Sequence, residues 1–348
     1  MRQIFSGNDM DGPASHNELV EPAWDDGLEN CSNCLFCGGE QSHQDVVDVR
    51  DVFFAADEGR FDFLRCDNCG SLWLGKRPFG QRLLDAYANY YTHGSEAGEN
   101  GEMSGLRRWI RASYLRSRLL KAPGFTDRIV ARGVMLAGYD TSGLDKSLRF
   151  APAAPARILD YGCGSGFYLL QLKEMDYELH GAEYDPHLLG QLARSGIAIH
   201  DVAALTDDHW DATFDHITLS HVLEHVPDPV ALLGRLSRWL KPGGSLYVEL
   251  PNADATGLAI FGRYWRGLEA PRHFALPSQK ALVAAFARAG LKIERQHIDP
   301  AARPWLWNKS LSASPDNQHQ AMRQGMADAP PETETNAELL TFVARKPA

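Results

Sequence analysis

The sequence predicts an α/β chain: a parallel sheet domain, preceded by a helical connector and a small cysteine-bearing module. Three observations carry that prediction. Beyond residue 151, short apolar strands alternate with helical stretches, the pattern of a parallel sheet. One of those strands runs into a glycine-rich turn and then a helix. Five of the six cysteines are gathered between Cys31 and Cys69, well before that region.

With 348 residues the chain is too long for one ordinary domain and about right for two. Its 44% apolar and 23% charged residues are those of a globular protein. No stretch approaches the apolar length of a transmembrane helix, and Met1–Asp9 has no apolar signal core, so a soluble cytoplasmic protein is expected. The net charge of −10 is unevenly spread: residues 1–75 hold 15 acidic side chains against four arginines and no lysine. An acidic chain does not condense readily onto polyphosphate, which lowers nucleic acid in the ranking of partners.

In chain order, residues 1–30 are polar and acidic without a period and are expected to be a mobile tail. Residues 31–75 carry the cysteines. Residues 76–150 read mostly as helix, with Leu106, Trp109, Ile110, Leu115, Leu119 and Leu120 on an approximate stripe. Its span from Leu106 to Arg132 holds seven Arg and one Lys against Asp127 alone. That basic face is read as solvated, as a dock for the acidic module, or as an anchor for an anionic acceptor or membrane surface. The Pro/Ala stretch Ala151–Ala156 marks a boundary, and 151–348 is the α/β domain. Within it, 252–280 reads as an insert and 313–336, rich in Asn, Gln, Asp, Glu and Pro, as a long loop.

Cys34-x-x-Cys37-Gly38 and Cys66-x-x-Cys69-Gly70 are two knuckles with 28 residues between them. A tetrahedral Zn²⁺ needs thiolates about 3.8 Å apart, and two tight turns supply them in pairs. Four such ligands close the coordination sphere, so the predicted Zn²⁺ is a structural staple for a module too small to hold itself together. Val46–Val49 and Phe61–Arg65 read as the strands of a zinc ribbon. Cys31 is either a competing ligand or a spare thiol.

The strand Arg157–Tyr161 leads into Gly162-Cys163-Gly164-Ser165-Gly166 and then a helix. This is where a nucleotide-like ligand approaches backbone N–H groups. The Gly-x-Gly-x-Gly spacing is one residue shorter than the dinucleotide fingerprint, which argues against hydride transfer. A second strand ends at Glu183, 17 residues past Gly166, where a carboxylate can accept both hydroxyls of a ribose.

These residues resemble class I S-adenosylmethionine-dependent methyltransferases. Asp160-x-Gly162-x-Gly164-x-Gly166 and Glu183 look like that family's first two motifs. Phe214–Val226 is similar to its fourth strand and following turn, and Leu240-Lys241-Pro242-Gly243-Gly244 to the lead-in of its fifth. The resemblance implies a Rossmann-like seven-stranded sheet with the last strand antiparallel, for which Leu339–Ala344 is suited. It also implies that Asp160, Gly162, Gly164 and Gly166 frame the amino-acid end of S-adenosylmethionine, Glu183 its ribose, and Asp201 and Val202 its adenine. A narrower resemblance covers nearly the whole chain. The cysteine module, Tyr87-Ala88-Asn89-Tyr90-Tyr91, the sheet domain and Pro271-Arg272-His273-Phe274 are together similar to bacterial zinc-containing methyltransferases. Those act on sugars in surface polysaccharide and secondary metabolism. Their deoxysugar C-methylating members carry Tyr-x-Glu-His where this chain has Ala270-Pro271-Arg272-His273; only the histidine is shared, which favours O-methylation.

Methyl transfer is an in-line displacement in which the protein aligns the acceptor and removes its proton. His221, Glu224 and His225 follow strand four, where such a base should sit, and His273 is a further candidate from the insert. Tyr91 covers the cofactor on this reading; packing of the connector is the other reading for Tyr87, Tyr90 and Tyr91. The aromatic stretch Phe261–Arg266 reads as a substrate lid or as hydrophobic packing, and Arg263, Arg266 and Arg272 as anchors for a phosphate or carboxylate. Cys163, the domain's single cysteine, lies in the glycine turn, so base C5-methylation is excluded. Ser220–Leu223 stands where methyltransferases of exocyclic amines carry Asn/Asp-Pro-Pro-aromatic. The expected function is transfer of a methyl group to a hydroxyl of a sugar, glycan or natural-product intermediate. The rivals are an RNA or protein methyltransferase and a non-catalytic cofactor-binding scaffold.

Overall fold

The computed structural model describes residues 27–87, 105–120, 122–138, 146, 148–173, 175–205 and 210–348. Most of the expected tail, and Tyr90 and Tyr91, the latter with its expected cover over the cofactor, lie outside the described residues.

The cysteine module holds five short strands: β1 (Leu28–Asn30), β2 (Ser42–Val49), β3 (Phe61–Cys66), β4 (Leu72–Leu74) and β5 (Lys76–Pro78). Leu28–Asn30, expected in the tail, is instead paired antiparallel with β5. β2 and β3 form the antiparallel pair between the knuckles. Alternation along β3 buries Phe61 and Phe63 on one face, as the two-residue period of a strand requires.

The larger domain adds β6 (Ala156–Tyr161), β7 (Tyr177–Glu183), β8 (Ala198–Asp201), β9 (Phe214–Ser220), β10 (Leu240–Pro251), β11 (Ala275–Leu276), β12 (Lys292–His297) and β13 (Leu339–Arg345). Seven of these strands form one sheet in the order β12-β13-β10-β9-β6-β7-β8. β13 runs antiparallel to both neighbours, while β9, β6, β7, β8 and β10 are parallel, as expected. Ile158, Leu159, Ile217, Leu219, Leu246 and Val248 are fully buried, as a sheet covered on both faces demands. The chain winds outward through β6, β7 and β8, then returns to β9 on the other side of β6. This reversal opens a crevice at the carboxyl ends of β6 and β9.

The connector contributes helices Gly105–Leu119 and Phe125–Leu136. Tyr114, Leu115 and Leu119 pack against Tyr168, Leu169 and Leu172 beside the sheet. Leu106 and Trp109, from the start of the expected stripe, are exposed.

Two stretches differ from expectation. The insert 252–280 is not an open lid. Phe261, Trp265 and Leu268 are buried, and β11 pairs antiparallel with β4, so a strand of the larger domain completes the module's sheet β11-β4-β3-β2. Hydrophobic packing is therefore what its aromatics do. Residues 313–336, expected as a loop, contain the helix His319–Ala327. Met322 is buried in the cluster of Trp307 and Phe261, and Met326 packs against it. Two apolar side chains one helical turn apart anchor a segment whose composition is otherwise polar.

Candidate active site

The crevice begins with the glycine turn after β6. Gly162 and Gly166 both have φ of 72°, a left-handed backbone that other residues resist. Space forbids side chains as well: a Cβ on Gly162 would lie 2.5 Å from Val222 Cγ2, and one on Gly166 2.4 Å from Leu192 Cδ2. The Gly164 N–H donates to Glu183 Oε2 at 2.7 Å, and the N–H groups of Tyr184 and Asp185 donate to Glu183 Oε1. A carboxylate has about four acceptor positions, so one stays available on Oε2 beside the turn, which suits a ribose hydroxyl. Asp201 faces Glu183 across the β7–β8 pair and caps Ala203, with Val202 buried behind it. The residues present therefore fit the nucleoside end of S-adenosylmethionine. Asp160 sits deeper than expected. Its carboxylate is fully buried, bound by Arg149 and by Thr218 Oγ1, the latter at 2.6 Å.

Val222, which packs on the glycine turn, belongs to the segment after β9 that carries the candidate base. His221 has φ of 55° and is fixed by its N–H donating to the Glu249 carbonyl at 2.8 Å. Its side chain is 41% exposed, with Nδ1 3.3 Å from Glu224 Oε1 and Nε2 3.8 Å from Glu249 Oε1. Burial opposes a charge on His221, but Glu224 and Glu249 outweigh it and raise its pKa above the ordinary histidine value. Glu224 is fully buried.

His225 and His273 meet edge to face with ring centroids 4.6 Å apart. His225 Nδ1 lies 3.1 Å from the Arg272 carbonyl oxygen and 2.9 Å from the Tyr87 hydroxyl. His273 Nδ1 lies 2.8 Å from the Gly267 carbonyl oxygen. Burial lowers the pKa of both rings, that of His273 well below the ordinary value, so both are neutral near pH 7. The structure thus brings His221, Glu224, His225 and His273 into one group and adds Tyr87 to it.

The insert arginines are committed to protein acids. Arg272 is sealed from solvent on Asp51, Arg266 pairs with Glu269, and Arg263 donates to Asp48 at 2.8 Å. None of the three faces the crevice as an anion anchor. A cleft of about 600 Å³ between β2 and Ala253–Arg263 contains none of the candidate catalytic side chains.

In the module, the Sγ atoms of Cys34, Cys37, Cys66 and Cys69 all lie within 4.8 Å of one another. Cys34 and Cys69 are 3.5 Å apart and Cys37 and Cys66 3.4 Å apart, close to the edge of a ZnS₄ tetrahedron. Asn68 Nδ2 approaches Cys37 Sγ at 3.5 Å, a second-sphere donor of the kind that stabilises thiolate. Cys31 stands outside this set, and its carbonyl accepts from Trp73 Nε1. The donor set fits a closed zinc site.

Residues 137–296 match the methyltransferase domain family. The chain is 32% identical over 167 residues to the ubiquinone biosynthesis O-methyltransferase of Xylella fastidiosa (strain 9a5c), covering 43% of this chain and 67% of that protein. It is 31% identical over 168 residues to the protein of the same name from Xanthomonas axonopodis pv. citri (strain 306), covering 42% and 67%. The chain belongs to the class I S-adenosylmethionine-dependent methyltransferases. Among solved structures, this methyltransferase is similar to an S-adenosylmethionine-dependent methyltransferase from Mesorhizobium loti. The two share 18% identity over 58% of this chain and 96% of the other, with a TM-score of 0.41.

Sequence reasoning missed three residues of the methyltransferase crevice. Glu249, nearly buried at the end of β10, holds Lys146 Nζ at 3.1 Å and accepts from Thr341 Oγ1 at 2.9 Å. An acid inside the apolar run Tyr247–Leu250 was a signal for it, because a charge is buried there only with partners. Lys146 and Arg149 leave no local signal, since their partners lie in distant strands.

Proposed function

We propose that this methyltransferase acts on a hydroxyl of a small molecule, a sugar, glycan or natural-product intermediate. We propose too that a structural Zn²⁺ on Cys34, Cys37, Cys66 and Cys69 holds its N-terminal module. The division into a module over 31–75, a connector over 76–150 and a catalytic domain over 151–348 belongs to this reading. The observation that carries it is the contact of Gly162 with Val222, which sets the cofactor turn directly against the His221–His225 segment. The curated relatives' name, O-methyltransferase, supports a hydroxyl acceptor. The pairing of Arg263, Arg266 and Arg272 with protein acids gives an anionic acceptor no support.

S-adenosylmethionine, when bound, supplies a methyl group on a sulfonium. Gly162, Gly164 and Gly166 shape the turn that receives its amino-acid end, over the buried Asp160. Glu183 takes the ribose, and Asp201 and Val202 border the adenine. His221 is the most exposed member of the cluster and takes the acceptor proton. Glu224 and Glu249 beside it stabilise the imidazolium that forms. His225, His273 and Glu224 line the acceptor side.

The test is methyl transfer by the purified protein, read by mass, against sugar nucleotides, lipid-linked glycans and ubiquinone-pathway intermediates. RNA and protein serve as competing acceptors. A hydroxyl acceptor should gain one methyl, and His221→Ala should lower turnover by roughly 10²–10⁴ with cofactor affinity kept. Transfer to RNA alone, falling steeply with salt, would overturn the assignment. Binding of the cofactor without turnover on any acceptor would favour a scaffold.

A further inference from the structure

We propose that Glu224, His225 and His273 form a second metal site, an open one, for a divalent transition-metal cation at the acceptor end of the crevice. One ligand atom from each of these residues lies within 4.8 Å of the others. His273 Nε2 is 3.9 Å from Glu224 Oε1, so a small shift of either side chain brings both onto one ion. The proposal deepens the reading of this cluster as the acceptor-facing site.

The hydrogen bonds around the rings support it. A carbonyl oxygen only accepts, so His273 Nδ1, 2.8 Å from the Gly267 carbonyl, carries the ring hydrogen. Its lone pair is then on Nε2, the nitrogen nearer to Glu224. His225 Nδ1 is engaged by two oxygens, the Arg272 carbonyl at 3.1 Å and the Tyr87 hydroxyl at 2.9 Å, and the tautomer that donates to the carbonyl puts the lone pair on Nε2. An outer N–H bonded to a main-chain carbonyl is the arrangement that fixes tautomer and ring orientation in a metal-ligating histidine. Glu224 supplies an independent observation. Its side chain is fully buried, and Oε2 has no hydrogen-bond partner. A buried carboxyl oxygen without a partner is costly, and a bound cation removes that cost.

Three protein ligands leave a fourth position, as in catalytic zinc centres, whereas the four-cysteine site is closed. The donors are two imidazoles and one carboxylate, a set that suits zinc, cobalt, manganese or iron more than calcium. His221, 41% exposed beside Glu224, marks the side from which solvent and an acceptor oxygen reach that position.

The experiment reads metal rather than turnover, so it can fail while the hydroxyl assignment stands, and the reverse. Wild-type protein holding one zinc per chain is titrated with Mn²⁺ and followed by electron paramagnetic resonance, since a four-cysteine site does not favour manganese. Co²⁺ is added in parallel and followed by absorption without new thiolate charge-transfer bands. One further equivalent should bind to each chain. Glu224→Gln and His273→Ala, checked for fold by circular dichroism, should weaken it by about 10- to 100-fold and retain the cysteine-bound zinc. No Mn²⁺ or Co²⁺ binding to the unaltered protein would overturn the proposal, whatever the variants do. So would a second equivalent that both folded variants bind as tightly as wild type; that outcome would leave Glu224 as a partner of His221 alone.

Discussion

Arg272 and Asp51 form a two-pronged ion pair, Nη1 to Oδ2 at 2.9 Å and Nη2 to Oδ1 at 2.6 Å, with both side chains sealed from solvent. The pair joins the insert to the cysteine module at the residue whose carbonyl receives His225 and whose neighbour is His273. Main-chain bonds run alongside: Phe274 N–H donates to the Glu224 carbonyl at 2.7 Å, and Leu74 N–H to the Phe274 carbonyl at 2.9 Å. The module is thus one backbone step from the candidate cluster. Asp51→Asn strips the buried Arg272 guanidinium of its two-pronged carboxylate and leaves Glu269 Oε1, at 3.4 Å, as its remaining acidic partner; breaking a buried pair in this way costs on the order of 3–5 kcal/mol. We expect a lower melting temperature and slower methyl transfer, with cofactor affinity near wild type. Wild-type melting and wild-type rate in that variant would show that the pair does not position the cluster.

Cys66→Ser should lose one zinc per chain and loosen the module. Because β4 holds β11 two residues after His273, the loss should reach methyl transfer as well. Metal analysis and limited proteolysis of the module check this. Full zinc retention would place the ion on Cys31 or elsewhere.

Glu183→Ala removes a charged acceptor next to the glycine turn. Hydrogen bonds to charged groups are worth roughly 1.5–3 kcal/mol, so cofactor affinity should fall about 10- to 100-fold by titration calorimetry. Because Glu183 also holds the Gly164 N–H, Glu183→Gln serves as the milder comparison. Unchanged affinity in both would remove Glu183 as the ribose ligand.

His216 makes stability depend on pH. It is fully buried between β6 and β10, donates from Nε2 to the Arg149 carbonyl at 3.0 Å and accepts at Nδ1 from Ser245 Oγ at 2.8 Å. Burial pushes its pKa down to about 4. Above its ordinary value near 6.5 the ring is neutral in folded and unfolded chains alike, and the fold keeps its full stability. Between about 6.5 and 4 only the unfolded chain takes the proton, so stability falls as pH falls, by about 3 kcal/mol from this group. His216→Gln should be less stable at pH 7.5 yet show a shallower loss between pH 7 and 4.5 in thermal melts. Parallel wild-type and variant curves would refute this role.

Whatever depends on neighbours in sequence was legible. The turn Asp160–Gly166 carries its own strand, glycines and helix start, and each cysteine knuckle is a local turn, so both could be read directly. The long-range parts were not. Tyr87 meets His225 across 138 residues, and Arg272 meets Asp51 across 221, through side chains with no distinguishing local pattern. β11 is only two residues long, too short for any period, and its pairing with β4 turns a supposed lid into a wall of the module. The helix His319–Ala327 was hidden because two methionines hold it in place among polar residues.

The strand shared between β4 and β11 bears on how this protein is made. During synthesis the cysteine module leaves the ribosome long before Ala275 and Leu276, so the β4 edge, with Trp73 and Leu72, waits unpaired. An exposed apolar edge of that kind invites pairing with other nascent chains. Metal capture by the knuckles would lock the Cys66–Cys69 turn that leads into β4 early and limit the exposure. The same feature argues against treating the first part of the chain as a cassette. Cut out and fused to another enzyme, it would lack the strand that finishes its sheet.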